Sequence, residues 1–224
     1  MVKIKIDFFV WQTISAFQTI QRYFEIIESQ IGKVKDEEWE KLKLLPVPGD
    51  EEEYQTEYGL TIHAHKHEFE KVLPRLVGYS FVMMLFSELE FRINGICRAL
   101  KKRENVPLKI NDFKGDLIER FSKFLIIANK PQLEKAEKAE INDFRVVRNC
   151  IVHNNGFLNN FHNSKELRKI ANSNLHIEIV EARIKVSSGF LYSRIEFFIA
   201  MFRRLFEALN FGPEHPIISD KGKS

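Results

Sequence analysis

The residues of this chain with the clearest chemical potential lie in the stretch RNCIVHNNG, residues 148–156, where Arg148 precedes His153 by five positions. Histidine can give or take a proton near neutral pH, and arginine stays charged and can pair bidentately with a phosphate. The pair suits RNA cleavage, in which the 2′-hydroxyl is an internal nucleophile. His153 would move the proton and Arg148 would hold the scissile phosphate. This chemistry needs no metal and no other cofactor, and it excludes DNA, which lacks the hydroxyl.

The spacing of the two residues limits how they can meet. On an ideal helix five positions turn a side chain by about 140°, so Arg148 and His153 would not share a face, whereas Asn149 and His153 would. The sequence NNG predicts a helix end with Gly156 at the C-cap. Either a loosened last turn brings His153 toward Arg148, or a second subunit of a symmetric dimer supplies the matching pair. The plain alternative is that both residues only finish a helix.

The longer stretch FRVVRNCIVHNNG resembles the signature of the HEPN superfamily, in which Arg is followed after four to six residues by His, often with a polar residue after the Arg. Arg148, Asn149 and His153 fill these three catalytic places, and residues 67–210 are similar to a HEPN helical bundle. The resemblance implies a ribonuclease of toxin–antitoxin, abortive-infection or antiviral defence systems. It also implies a homodimer with a composite active site, and an antitoxin or a nucleotidyltransferase as partner.

Some members of that superfamily have lost catalysis and only bind. The alternative function is therefore a non-catalytic helical module that binds RNA, a nucleotide or a protein. Because Arg, Asn and His are all present here, we expect the enzyme.

Further substrate-binding candidates flank the motif. HEPN nucleases often carry an extra polar residue on the long first helix, and Ser87, Glu90 and Asn94 form one helical stripe there. Arg145, one turn before Arg148, would enlarge a phosphate-binding surface. The alternative for all four residues is an ordinary solvated helix face.

Histidines at residues 63, 65 and 67 form the sequence HAHKH, in which two residues four apart could bind one metal ion on a helix. No third ligand cluster accompanies them in the sequence, so we predict a helix start and no metal site. The basic pair Arg203–Arg204 and the sequence RALKKR, residues 98–103, are expected on helix faces, with contact to an RNA backbone as the alternative.

The elements that must position these residues are mainly helices, with apolar residues at helical spacing over most of the chain. We predict a mainly α, HEPN-like bundle with a small β-hairpin and an N-terminal helical extension. The expected helices cover residues 8–31, 35–45, 65–103 (with a kink or true start at Pro74), 111–128 (capped by Asn111 or Asp112), 130–153 and 188–210. The β-branched, alternating residues 176–187 predict a hairpin with its turn near Glu181–Ala182. Residues 157–175 read as loop, and Asn210 and Gly212 as the end of the last helix.

Charge and composition indicate which partner, domain division and cellular location to expect for this bundle. Residues 1–60 carry 7 Lys/Arg against 12 Asp/Glu, a net −5, and the rest carries 27 against 19, a net +8. The basic excess surrounds the motif and suits a phosphate-bearing partner. We expect an acidic extension at 1–58, the helical domain at 59–212 and a flexible tail at 213–224. Cys97 and Cys150 form no disulfide framework, no signal peptide is evident, and the apolar runs are too short to cross a bilayer. We expect a cytoplasmic protein without membrane contact.

Overall fold

The chain folds into a helical bundle with one two-stranded antiparallel sheet, so the predicted mainly α fold with a small β-hairpin is confirmed. The structure is a computed structural model that describes residues 8–45 and 58–211. Its helices are α1 (Phe8–Lys43), α2 (Gly59–His67), α3 (Leu73–Arg103), α4 (Leu117–Ile127), α5 (Lys135–Asn154), α6 (Ser164–Ser173) and α7 (Ser188–Ala208). The strands are β1 (Ile177–Val180) and β2 (Arg183–Val186).

Helix α3 runs through the centre of the core. The apolar face expected from its sequence is the face that is buried, with six residues fully shielded from solvent: Val82, Leu85, Leu89, Ile93, Ile96 and Leu100. Burial of each such side chain stabilises the fold by about 1.5–3 kcal/mol. This helix is therefore the element on which the neighbouring helices, including α5, are positioned.

Helix α1 belongs to the same core. Its Phe17 ring lies 5.6 Å from the ring of Phe198 and 5.5 Å from that of Phe202 on α7, and Phe24 packs edge-on against Phe81 of α3 at 4.7 Å. The expectation of two helices over residues 8–45 is wrong. One helix continues past Gly32, because a single exposed glycine costs a helix only about 1 kcal/mol. The acidic segment 46–57 lies outside the described residues, as do Gly212 and the tail 213–224.

The predicted long helix begins earlier than residue 65 and contains an irregular turn. Helix α2 passes through a π-helical turn, Glu68–Val72, directly into α3, where Pro74 stands in the first turn. Proline lacks an amide hydrogen, and its ring crowds the carbonyl four residues back. In a π turn the hydrogen bonds reach one residue further, so the proline is accommodated without ending the helix.

By length and composition alone, one helix within residues 8–45 and 58–211 is able to cross a membrane, the continuous segment Gly59–Arg103. This differs from the expectation that the apolar runs are too short to cross a bilayer. In the folded chain Leu85, Leu89 and Ile93 of this helix face the core, whereas Leu76, Met84 and Phe91 are exposed.

Helix α4 begins later than expected. Asp116 is its N-cap, and its side chain accepts a 2.9 Å hydrogen bond from the backbone amide of Glu119. Asn111 and Asp112 instead lie in a separate 3₁₀ turn, Ile110–Asp112. Gly115, with φ +120°, separates the two elements, so the predicted caps were wrong.

Residues 157–175 are not all irregular, because they include α6. Leu167 and Ile170 of this helix are buried, while its other positions are mostly charged or polar. The spacing of three residues between Leu167 and Ile170 indicates a helix. The asparagines around it favour a loop, so the sequence did not predict α6.

The hairpin has the predicted position and turn. Glu181 and Ala182 connect its strands with φ of 51° and 60°, the left-handed conformation that two-residue hairpin turns require. The sheet lies on α3, where a Cβ on Gly78 would stand only 3.2 Å from the Val186 carbonyl oxygen. The hairpin is thus held against the helix that also carries the motif helix α5.

Candidate functional site

Helix α5 carries the motif and stays regular through Asn154. It ends at Asn155 and Gly156, which have φ of 50° and 79°, and the Gly156 amide donates to the Cys150 carbonyl at 3.0 Å. No last turn is loosened before His153. Arg148 and His153 therefore project about 140° apart, and the first route expected from the sequence, a loosened last turn, is not observed.

Arg148 presents an uncompensated positive charge at this helix. Its Nη1 donates to Asn149 Oδ1 at 2.9 Å, and its guanidinium carbon lies 4.9 Å from the centre of the Phe86 ring. Its Nε is buried without a hydrogen-bond partner. Within the described ranges no carboxylate lies at ion-pair distance from it. The stacked and hydrogen-bonded group is thus oriented, and it keeps donors for an external anion.

His153 is exposed on the opposite side of the helix end, on the same stripe as Asn149 and Arg145. Among residues 8–45 and 58–211 no hydrogen bond to its imidazole is formed. A general acid or base needs an oriented ring, and within the described part of a single chain no contact supplies that orientation to His153.

Arg145 is engaged within the chain. Its Nη2 donates to Asn142 Oδ1 at 2.6 Å and lies 3.6 Å from Asp116 Oδ2. Asn142 donates in turn to Glu166 at 3.0 Å. This network ties α5 to the start of α4 and to α6, and it leaves Arg145 less available to a phosphate than Arg148.

The polar stripe on α3 lies partly beside the motif. Helices α3 and α5 run antiparallel, because Tyr79 contacts Gly156 while Phe86 contacts Arg148. Ser87, exposed, follows Phe86 directly. Asn94 lies about 12 Å from Phe86 along the axis of α3.

No hydrogen bond joins Ser87, Glu90 or Asn94 to Arg148 or His153 in the described part of the chain. Asn94 donates instead to the Glu90 carbonyl at 2.7 Å. Phe86, not proposed from the sequence, is the α3 side chain that contacts Arg148. The only hint of this role in the sequence was its place one residue before Ser87.

The two cysteines are not poised for nucleophilic chemistry. Burial raises the pKa of the Cys97 thiol to about 12 and that of Cys150 to about 11. Cys150 donates weakly to the Phe157 carbonyl at 3.4 Å. Thiolate is the reactive form, so Cys150 serves as packing beneath the motif.

The histidines of HAHKH do not converge. His65 is buried between Trp39 and Phe69, at ring distances of 5.6 and 4.7 Å, whereas His63 and His67 are exposed. In the described ranges no group of three or more His, Cys, Asp or Glu side chains is arranged to hold a metal ion.

The other basic groups are mostly committed to the fold. Arg103 donates to the carbonyls of Leu209 and Asn210 at 2.6 and 3.1 Å. Arg204 pairs with Glu137. Arg203 is exposed and remains on a helix face, as expected.

Helix α3 also exposes large apolar side chains along one stripe. Leu76, Met84 and Phe91 are 49%, 37% and 53% exposed, and Ser80 and Ser87 complete the stripe. An apolar helix face of this kind is typical of an interaction surface. Phe86, which contacts Arg148, is buried and lies about 100° around the helix from Ser87.

No protein family, no curated protein and no solved structure matches this chain.

Proposed function

We propose that this chain is a cytoplasmic, metal-independent endoribonuclease of the HEPN type, acting as a toxin or anti-phage effector. The observation that supports it best is Arg148: an oriented arginine without a carboxylate partner, followed less than two turns later by an exposed histidine. A purely structural arginine at a helix end would be expected to pair with an acid or a carbonyl.

The proposed reaction is an internal transesterification. The 2′-oxygen of RNA attacks the adjacent phosphorus, so the P–O2′ bond forms and the P–O5′ bond breaks. His153 accepts the proton of the 2′-hydroxyl, and the leaving 5′-oxygen takes a proton from water. Arg148 stabilises the charge that grows on the non-bridging oxygens. The products are a 2′,3′-cyclic phosphate and a 5′-hydroxyl.

The site proposed here is shared by two copies of the chain. Within one regular helix Arg148 and His153 point apart, so a single chain does not assemble both groups around one phosphate. The exposed residues Leu76, Met84 and Phe91 of α3 are an apolar surface available for a two-fold contact. In such a dimer Arg148 of one copy and His153 of the other act together, with Asn149 orienting the arginine.

The competing function is a non-catalytic module that binds RNA, a nucleotide or a protein. It is favoured by His153 itself, because no described residue of its own chain orients the imidazole. In this case Arg148 would still bind phosphate, and replacing His153 would leave the affinity for RNA unchanged.

The test is cleavage of structured and unstructured RNA in EDTA, with the ends of the products identified chemically. Arg148→Ala and His153→Ala are each expected to lower the rate about 10²–10⁴-fold and to abolish toxicity on expression. Arg168→Ala and His162→Ala are matched controls, because both residues are exposed and lie outside α5. If the folded wild-type dimer leaves RNA intact, or cuts it no faster than His153→Ala, the enzyme proposal is refuted.

A further inference from the structure

A groove lies between α1 and the hairpin, on the side of the π turn. It has a volume of about 650 Å³, within the range of small-molecule sites. Its walls are α1 near Glu28, the segment from the π turn to Gly78, and the hairpin with Phe157. We call it the α1–hairpin groove. It does not include Arg148 or His153.

Two arginines of the groove have no partner for their charge. Arg75 and Arg183 both line it, and each is half-buried with an Nε that is buried and without a hydrogen bond. Among the other arginines with an unpaired Nε, Arg194 pairs with Glu140 and Arg145 with Asp116, while Arg148 is the uncompensated arginine of α5. No carboxylate among the described residues pairs with Arg75 or Arg183. Half-buried, uncompensated guanidinium groups are costly unless an anion completes them.

The two arginines line the same groove from different elements, Arg75 from α3 and Arg183 from β2. Burial raises the pKa of the Tyr79 phenol to about 12, and the positive charges of Arg183 and Arg75 oppose that rise. The Tyr79 hydroxyl is already committed, since it donates to the Ile184 carbonyl at 2.6 Å.

The acids of the groove are occupied or peripheral. Glu28 accepts a 3.2 Å hydrogen bond from Tyr192, and Glu70 pairs with Lys35 at 3.4 Å. Glu181 lies at the exposed hairpin turn. Glu28, Glu70 and Glu181 are exposed, whereas Arg75 and Arg183 are half-buried. The less exposed charges of the groove are therefore positive, which suits a small anion.

The groove also offers an aromatic and apolar wall. The Arg183 guanidinium carbon lies 3.6 Å from the centre of the Phe157 ring, which fixes the guanidinium against the ring face. Phe24, Ile31 and Val77 line the opposite walls. An arginine held in this way presents its N–H edge to a ligand in one orientation.

From this arrangement we infer that the α1–hairpin groove binds a small phosphate monoester that carries an aromatic body. Its phosphate lies between Arg75 and Arg183, and its ring packs on Phe157 and the apolar walls. The π turn at Glu68–Val72 borders the groove, as such turns often border ligand sites. This site goes beyond the proposed ribonuclease activity and does not depend on His153.

Calorimetric titration of the full chain with phenyl phosphate tests the inference, with inorganic phosphate and phenol as the two partial ligands. We expect a Kd of about 0.1–1 mM for phenyl phosphate, and at least about tenfold weaker binding of either partial ligand. Arg75→Met and Arg183→Met should each weaken binding about tenfold or more, whereas Arg168→Met on α6 should not. If a methionine variant does not fold, Arg75→Lys or Arg183→Lys replaces it in the titration. Each lysine variant should also bind phenyl phosphate more weakly than the wild type does.

Three results would overturn the inference. The first is the absence of binding heat at millimolar phenyl phosphate. The second is binding of phenyl phosphate that survives both arginine changes. The third is displacement of phenyl phosphate by a short RNA without terminal phosphates. The last result would assign the groove to an RNA strand. His153→Ala should bind phenyl phosphate as wild type does, so a failure of the ribonuclease proposal and a failure of this one remain distinguishable.

Discussion

The hydroxyl of Tyr79 occupies the space in which a Cβ of residue 156 would stand, so only glycine fits at this position. The same hydroxyl donates to the Ile184 carbonyl, and the Ile184 amide donates to the Gly156 carbonyl at 2.9 Å. The end of the motif helix, the second turn of α3 and strand β2 are thus joined at one point. This junction fixes where α5 ends and hence where His153 lies.

Gly156→Ala is expected to destabilise the fold by about 2–4 kcal/mol. The φ of +79° is unfavourable for a side chain, and the added methyl overlaps the Tyr79 ring and hydroxyl. Gly32→Ala is the control, since nothing lies within 4 Å of that position on α1 and alanine favours a helix by up to about 1 kcal/mol. Urea unfolding measures both, and equal stability of Gly156→Ala and wild type would contradict the junction.

Tyr79→Phe is expected to cost about 1–2 kcal/mol at neutral pH, because a buried hydrogen bond to a carbonyl is lost. Burial raises the pKa of Tyr79 to about 12 in the folded state, against about 10 in an unfolded chain. The neutral phenol therefore stabilises the fold fully below pH 10, and this contribution is lost as the pH rises toward 12. Unfolding free energies of both proteins should converge over that interval. A constant difference between pH 8 and 11 would argue against a buried phenol.

The central helix and the hairpin were predictable from sequence because each repeats one period over its whole length. The six buried apolar residues of α3 follow a helical spacing, and the hairpin alternates β-branched residues. Helix α6 was missed because only Leu167 and Ile170 mark its buried face. The cap of α4 was misplaced because Asn111, Asp112 and Asp116 all have capping side chains, and only the backbone decides among them.

The sequence identified the candidate residues but not their contacts. Asn149 was expected on the face of His153, whereas its side chain accepts a hydrogen bond from Arg148. The stacking of Arg148 on Phe86 depends on the register of α3 against α5, which no local pattern encodes. The presence of Arg75 and Arg183 in one groove depends in addition on how the hairpin lies across α3. That placement results from the close approach at Gly78.

Glu137→Ala is expected to destabilise the fold by about 2 kcal/mol. The carboxylate is buried, caps α5 by accepting the Glu134 amide at 2.9 Å, and binds Arg204 through both oxygens. Loss of a buried partner usually costs more, but Arg204 is 33% exposed and water relieves part of the penalty. A double-mutant cycle with Arg204→Met should give a coupling of about 1 kcal/mol. Strict additivity of the two changes would show that the pair contributes nothing.

His65→Phe is expected to stabilise the fold by about 1 kcal/mol. The imidazole is buried between Trp39 and Phe69, and neither ring nitrogen has a hydrogen-bond partner. Such nitrogens carry a desolvation penalty that a phenyl ring of similar shape avoids, while the aromatic contacts are kept. Thermal unfolding should show a higher Tm for His65→Phe, and no gain for His67→Phe, whose side chain is exposed. A lower Tm for His65→Phe would mean that the imidazole nitrogens are needed in the folded chain.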